Sequence, residues 1–482
     1  MASPTLPNEI LAGVFGRLSP SCLAVASRVC RTWKTVAFPP LYQTVYLCLG
    51  THLEQFVQRV LTEELGSLFS ITAHLKGLVL DIEYRKNRQA EMIRKSDLDK
   101  LNAVIPRLTQ LSSLSWNLMF VPEDPETFEL FRSQCPKLDS VHIWIKGDID
   151  FYSDQYDTLF DFKNLSHFSL TIRNMRKLIY SLSYSTIEAI ARTINQAPSF
   201  DEDLLDPLTS LLDRCPQLSS LVLDIHNSEF KYSPATLVAA LDDEHVFPLR
   251  RFYVRGCEDP DWMEFFENPE SHPFRQFLRR HKGIEDLALG YFDETAHWKH
   301  IDPTEISQLF PVLKQFEGPA FLFKPLVLSI LAEQVEKLVI VDKELRDEFS
   351  LTEIYNRNPS LPRLRKFGIW AKEIEEGILV NMLRTIVNGA SGLEEIEIHP
   401  EIDSTNYGDV MKSITQIRGL RSVTLDDSIL GAAAENDGKE LEWDAFAEII
   451  RRVCPRLQTI YRPIEKFDKE NREKVWELKD GT

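Results

Sequence analysis

The stretches LRKFGI at residues 364–369, LEEIEI at 393–398 and LRSVTL at 420–425 share one pattern, with apolar residues at the first, fourth and sixth positions. Side chains two residues apart lie on the same side of an extended chain. Each hexad therefore predicts a strand with its fourth and sixth residues facing a core and its third and fifth facing outward. Moving away from these three, the same hexad recurs at Leu75, Leu111, Leu138, Leu165, Leu218, Leu249, Ile284, Leu313, Val335 and Leu457. Thirteen copies at an average interval of about 32 residues are an internal repeat. Only Gly318 and Arg462 replace the apolar residue at the sixth position.

Between the hexads the spacing becomes helical. Met382, Leu383, Ile386 and Val387 share one helix face, as do Trp443, Phe446, Ile450 and Val453. Pro106, Pro248, Pro311 and Pro362, and the Cys-Pro-x-Leu entries at Cys135, Cys215 and Cys454, precede strands. Proline there ends one element and favours an extended residue before it. One strand and one helix per period predicts an α/β chain wound as a solenoid of parallel strands. The rival reading, a plain α/β domain, would need a sheet of unusual size. The 53-residue interval after Leu165 and the 22-residue interval after Leu313 break the period.

The first forty residues are different. Leu11, Val14, Phe15 and Leu18 fall on one helical face, Pro7 suits a first turn and Glu9 the positive end of that helix. Ser19-Pro20 reads as a cap and first-turn proline opening a second helix. Val29, Trp33, Val36 and Ala37 mark a third, which Phe38-Pro39-Pro40 is expected to stop. Three helices this short bury too little to stand alone. Leu6, Pro7 and Ile10 are apolar yet lie off the inner stripe, so the segment needs either the rest of the chain or another protein.

This head resembles an F-box. Leu6-Pro7-x-Glu9-Ile10-Leu11-x-x-Val14-Phe15-x-x-Leu18, then Leu23, Val29-Cys30-Arg31-x-Trp33 and Leu41-Tyr42, carry the resemblance over about residues 4–46. It implies docking on the small Skp-family adaptor of cullin–RING ubiquitin ligases. Leu6, Pro7, Ile10, Leu11, Phe15 and Leu18 would then contribute to the interface. Val29, Cys30 and Trp33 would hold the helices together and complete the contact. The family's adaptor is acidic, which suits the head: Arg17, Arg28, Arg31 and Lys34 against Glu9 leave +3 in residues 1–50 of a chain with net charge −18, so the remainder carries −21.

The repeating unit is similar to leucine-rich repeats, particularly the long, irregular kind found after F-boxes. It departs from them in that the asparagine or cysteine expected three residues beyond the hexad occurs clearly only at Cys257. In such repeats the residues flanking the central apolar position look out from the concave side. Here they include His142, His167, Arg251, Tyr253, Asp286, Lys337, Lys366, Glu395 and Glu397, with Trp144, Arg255, Trp370, His399 and Asp426 just beyond. Tryptophan, tyrosine and arginine are enriched at interface hot spots. Trp144, Arg251, Tyr253, Arg255, Lys337, Lys366 and Trp370 are the candidates for holding a protein target.

Other chemistries find little support. The acidic total disfavours nucleic acid, and Arg85-Lys86-Asn87-Arg88 with Arg94-Lys95 reads as a solvated loop. No phosphate-binding loop, dinucleotide turn or nucleophile elbow occurs. Asp293, Glu294, His297 and His300 are the densest ligand-like group, but with no further cysteine or histidine beside them they read as a polar loop, as Asp242–His245 reads as a turn. No metal, cofactor or catalytic residue is expected. Seven cysteines without tight spacing fit buried thiols in a reducing compartment. No secretory signal is visible, and the greasiest stretch, Ala320–Ala332, is broken by Lys324 and Pro325 and too short to span a membrane. A cytoplasmic or nuclear location is expected.

The organisation read from these patterns is an F-box over residues 1–46, a linking helical segment over 47–70, a leucine-rich-repeat-like solenoid over 71–465 and a charged tail over 466–482, expected as a helix. The segment 47–70 carries Leu53, Phe56, Val57 and Val60 at helical spacing. The function expected is that of a substrate-recognition subunit of a Skp–cullin–F-box ubiquitin ligase, reaching a cullin through the adaptor and not itself an enzyme. The alternatives are an adaptor-bound scaffold that does not direct degradation and an enzyme of unrecognised type.

Overall fold

Every one of the thirteen hexads forms a strand, and each strand begins at the hexad's third position. This computed structural model describes residues 7–64, 67–81, 93–118, 120–122, 125–146, 157–173, 201–226, 232–241, 246–256, 260–290, 301–345, 351–374, 377–400, 404–437, 442–463 and 472–478. The basic run Arg85–Arg88, the group Asp293–His300, the turn Asp242–His245, Cys257 and Leu6 lie outside the described residues. The chain divides into two units, Met1–Lys231 with Asp243–Phe247, and Tyr232–Asp242 with Pro248–Thr482.

In the first unit β1 (Thr44–Leu47), β2 (Gly77–Asp81), β3 (Ser113–Asn117), β4 (Ser140–Lys146), β5 (His167–Arg173) and β6 (Ser220–His226) pair in chain order, all parallel. In the second, β7 (Arg251–Arg255), β8 (Asp286–Leu289), β9 (Gln315–Gly318), β10 (Lys337–Leu345), β11 (Lys366–Ile374), β12 (Glu395–Ile398), β13 (Ser422–Leu425) and β14 (Thr459–Pro463) do the same. The fold is thus an α/β repeat of parallel strands alternating with helices, after three short N-terminal helices.

The hexad's first, fourth and sixth residues form the core. Leu364, Phe367 and Ile369 are fully buried, as are Leu420, Val423 and Leu425. Gly318 interrupts the pattern because the ring of Phe316 occupies its place: an added Cβ would lie 2.7 Å from Phe316 Cζ. The second position carries the backbone link between repeats. Its carbonyl accepts two N–H groups from the next strand, as Lys76 O does from Ser112 and Ser113, both at 2.8 Å. In the second unit this position also alternates in charge along Arg250, Glu285, Lys314, Glu336, Arg365, Glu394 and Arg421. Glu285 bonds Lys314 at 2.6 Å and faces Arg250 at 3.6 Å; Glu394 faces Arg365 at 3.2 Å and Arg421 at 3.4 Å. The hydrogen bond from Lys314 holds the Glu285 carboxyl below its ordinary range.

The helix Gly50–Thr62, here α4, buries Leu53, Phe56, Val57 and Val60. The helix Ile378–Gly389 buries Met382, Leu383 and Ile386 but leaves Val387 half-buried. The helix Trp443–Arg451 buries Phe446 and Ile450; it stops before Val453, which is exposed. Cys135, Cys215 and Cys454 are buried at helix-to-strand turns, and burial pushes the Cys135 thiol up to about 12. Cys22 and Cys30 are exposed, against the expectation of buried thiols, because neither position faces the head's core of Leu11, Phe15, Leu23, Ala26 and Ala37.

Two strands differ from the sequence reading. β1 follows the same hexad, Tyr42-Gln43-Thr44-Val45-Tyr46-Leu47, with tyrosine in place of the leading leucine. β15 (Arg472–Glu477) is antiparallel to β14 and replaces the helix expected in the charged tail. The unpaired backbone groups of the last parallel strand supply the reason, since a further strand satisfies them. Trp476 pairs with Ile460, and Leu478 N–H reaches Gln458 O at 2.8 Å.

Candidate functional site

The head consists of α1 (Asn8–Phe15), α2 (Pro20–Ala26) and α3 (Arg31–Leu41). Ser19 Oγ caps α2 by accepting from Cys22 N–H at 3.3 Å, and Cys30 Sγ caps α3 by accepting from Trp33 N–H at 3.4 Å. Leu11, Phe15, Leu23, Ala26 and Ala37 form the core, edged by Leu18, Trp33, Val36 and Leu41. Phe15 meets Trp33 edge to face at 5.3 Å. Pro39 and Pro40 do not stop α3. Their fixed φ is itself helical, the helix has one residue left to run, and Tyr42 N–H still reaches Phe38 O at 3.1 Å.

Eight of the nine residues singled out in the head lie among the described residues, Leu6 being the exception, and they divide by placement. Leu11 and Phe15 point inward, Leu18 and Trp33 are half-buried at the core's edge, and Pro7, Ile10, Val29 and Cys30 are exposed. Val14 does not join the inner stripe: it is 51% exposed and Ile10 53%. Pro7, Ile10 and Val14 fall at i, i+3 and i+7, an exposed apolar stripe that borders the core-facing side of α1. Val25 at 68% and Val29 at 60% exposed add a second outward pair four residues apart. Sequence reasoning passed over Val25; its distance of four from Val29 was the available signal. These exposed apolar side chains are the candidates for an interaction surface.

The head is tied to the first repeats. Phe38 is buried and meets Phe69 at 5.4 Å and His74 at 5.9 Å, with Lys34 Nζ 4.7 Å from the Phe69 centroid. The buried carboxylate of Glu63 accepts from Ile71 N–H at 2.7 Å and Ser70 Oγ at 3.0 Å, and pairs with Arg59 at 3.3 Å.

The outward strand faces of the two units differ in chemistry. In the first unit, register aligns Ser113, Ser140, His167 and Ser220 in one row and Ser115, His142, Ser169 and Val222 in the next. Trp144 follows, opposite Thr171, and is half-buried. This face is hydroxyl-rich. Burial lowers the proton affinity of His142. The unfolded chain therefore takes up a proton below about pH 6.5 that folded His142 resists, so stability falls as pH drops below that value and continues to fall until the folded imidazole also titrates. The urea midpoint should be lower at about pH 5.5 than at neutral pH, and His142→Gln should narrow that gap. An unchanged gap would place the pH dependence on other groups.

In the second unit the outward face is ionic. Arg251, Asp286, Gln315, Lys337, Lys366 and Glu395 stand in one row across six strands. The next row holds Tyr253, Ala288, Glu317, Val339, Gly368 and Glu397. Asp286 accepts from Arg251 Nε at 3.0 Å and Tyr253 OH at 2.7 Å. Burial, then the Asp286 charge and that hydrogen bond, raise the Tyr253 phenol and keep it protonated. Glu317 pairs with Arg255 at 2.9 Å and Lys337 at 3.8 Å. Glu397 pairs with Lys366 at 2.6 Å and accepts from Trp370 Nε1 at 3.5 Å.

Trp370, like Trp144, is a candidate for the target-holding surface, with packing between repeats as the alternative. It lies on the outward side but is 5% exposed, stacked on His399. In the row beside it, Val339 and Glu397 close over Gly368, where an added Cβ would meet Val339 Cγ1 at 3.1 Å. The structure thus brings Arg251, Tyr253, Arg255 and Lys337 into one network and Lys366 and Trp370 into another; Trp144 stands on the other unit's sheet. Among the described residues, no group of three or more histidines, cysteines or acids is arranged to hold a metal ion, and no helix is long and apolar enough to cross a membrane.

Comparisons with known proteins bear mainly on the head. Residues 4–48 match the F-box-like family. No curated protein matches the chain. Among solved structures, the Rad7 and Elc1 complex of yeast aligns at TM-score 0.43 and 13% identity, covering 96% of this chain and 90% of that one. The glycosylated Toll–Spatzle complex of Drosophila aligns at TM-score 0.23 and 11% identity, covering 80% of this chain and 50% of that one. The chain carries an F-box-like domain at its N-terminus, followed by a long run of parallel strands and helices that resembles leucine-rich repeats.

Proposed function

We propose that this protein is the substrate-recognition subunit of a Skp–cullin–F-box ubiquitin ligase in the cytoplasm or nucleus. The observation that carries the reading is the outward stripe of Pro7, Ile10 and Val14, with Val25 and Val29, on a domain matching the F-box-like family. An Skp-family adaptor would cover those side chains and link the chain to a cullin. The cationic head complements an acidic adaptor, which favours rapid encounter. The outward faces of the repeat sheets would hold the target protein. Catalysis would then be proximity: the target's lysines are kept at high effective concentration near the ligase's reactive end, with no acid, base or nucleophile from this chain.

The test is proximity labelling by the full chain with and without proteasome inhibition, combined with deletion of the gene. Labelled proteins that accumulate on inhibition and on deletion are the expected result. Adaptor association without any accumulating target would replace this reading by that of a non-degradative scaffold.

A further inference from the structure

We infer that the basic cluster on β7–β10 receives an extended acidic segment of the target protein, with carboxylates on alternate residues; this rests on reading the outward sheet face as the target-holding surface. The register is the leading observation. Arg251, Asp286, Gln315 and Lys337 occupy one row on four adjacent strands. Arg251 and Lys337 are therefore three strand spacings apart, about 14 Å. Along an extended peptide, side chains of one face recur about every 6.8 Å, so three alternate residues also span about 14 Å. A single phosphate asks instead for cations converging on one point.

Arg255, four residues beyond Arg251 on β7, links Arg251 to Lys337 through shared partners. Its guanidinium lies 4.8 Å from the Tyr253 centroid, and that of Arg251 lies 5.6 Å from the same ring. Arg255 and Lys337 in turn share Glu317. The three cations form an unbroken chain over four strands. Beneath them, buried Asp286 and Glu317 fix their positions before any partner arrives, which lowers the ordering cost of binding. Three cations over two acids leave one net positive charge, on a chain whose residues beyond the first fifty sum to −21. Arg251 has its side chain 52% exposed, and its terminal nitrogens have no partner among the described residues. Lys337 Nζ makes no hydrogen bond among them either; its ion pair with Glu317 is 3.8 Å long. A guanidinium with a free fork is suited to a carboxylate in bidentate geometry.

The experiment uses the full chain co-purified with its adaptor and a fluorescein-labelled decapeptide bearing glutamate at alternate positions. The comparison peptides carry glutamine at those positions or a single phosphoserine. Fluorescence polarisation should show the glutamate peptide binding at least tenfold more tightly than the glutamine peptide, and weakening as salt rises. The double variant Arg251→Gln with Lys337→Gln should lose at least tenfold in affinity while its melting temperature and adaptor association persist. If that variant does not fold, Lys337→Ala alone carries the test. Equal binding of glutamate and glutamine peptides, unchanged affinity in the folded variant, or tighter binding of the phosphoserine peptide would each overturn the inference. A cellular arm separates its failure from that of the underlying reading. Targets kept by Arg251→Gln/Lys337→Gln but lost by Trp144→Ala/Lys366→Ala overturn the acidic segment and leave the sheet face as the target surface. Targets kept by both variants overturn both.

Discussion

Aspartate at both Ile10 and Val29 is expected to abolish co-purification with the Skp-family adaptor. Both side chains are more than half exposed, so the free protein should keep its melting temperature, surface changes usually staying within about 0.5 kcal/mol. In the complex each would place a charge where an apolar anchor belongs. Truncation of such anchors costs about 1–4 kcal/mol each, so the pair should lower affinity by about a hundredfold or more. The informative comparison is Leu11→Asp, which strikes the head's own core and should unfold it. Adaptor binding that survives the double substitution in a folded protein would move the dock away from the outward face of α1 and α2.

Trp370→Ala should destabilise the second unit by about 3–5 kcal/mol, the range for large aromatic deletions in cores. The ring is nearly inaccessible despite lying on the outward face. Its loss would remove the stack on His399 and expose the Glu397 carboxylate with its Lys366 partner. Trp144→Ala, at a half-buried ring, should cost less, about 1–2 kcal/mol. Urea unfolding of the two variants side by side measures the difference. Equal, small losses would mean that both rings are open to a partner, as the sequence pattern alone suggests.

That pattern placed Trp144 and Trp370 together because each follows the sixth residue of a hexad, at Ile143 and Ile369. Alternation along a strand does determine the side on which a residue emerges. It does not determine what stands beside it. The neighbour of Trp370 is His399, one residue past the end of β12 and 29 residues away in sequence; Trp144 stands opposite Thr171 in register. In the head, the inner stripe was legible for Leu11, Phe15 and Leu18, yet Val14 also satisfied its spacing and turned outward. A helix face is a continuous arc, and where the core ends along it depends on the packing of α2 and α3 against α1.

The sequence by itself determined the positions of thirteen strands, their parallel repeat and the helical head, because a two-residue alternation, a buried leading leucine and a helix stripe are local signals written in each segment. Only the tertiary structure decided that Val339 and Glu397 close over Gly368, that Trp370 stacks on His399, that Arg251, Arg255 and Lys337 join through Tyr253, Asp286 and Glu317, and that Arg472–Glu477 closes the last repeat as a strand. Those outcomes depend on side chains and backbone edges brought together from separate repeats. The exposure and charge environment of an outward residue are set by its lateral neighbours, and lateral neighbours exist only once the strands are in register.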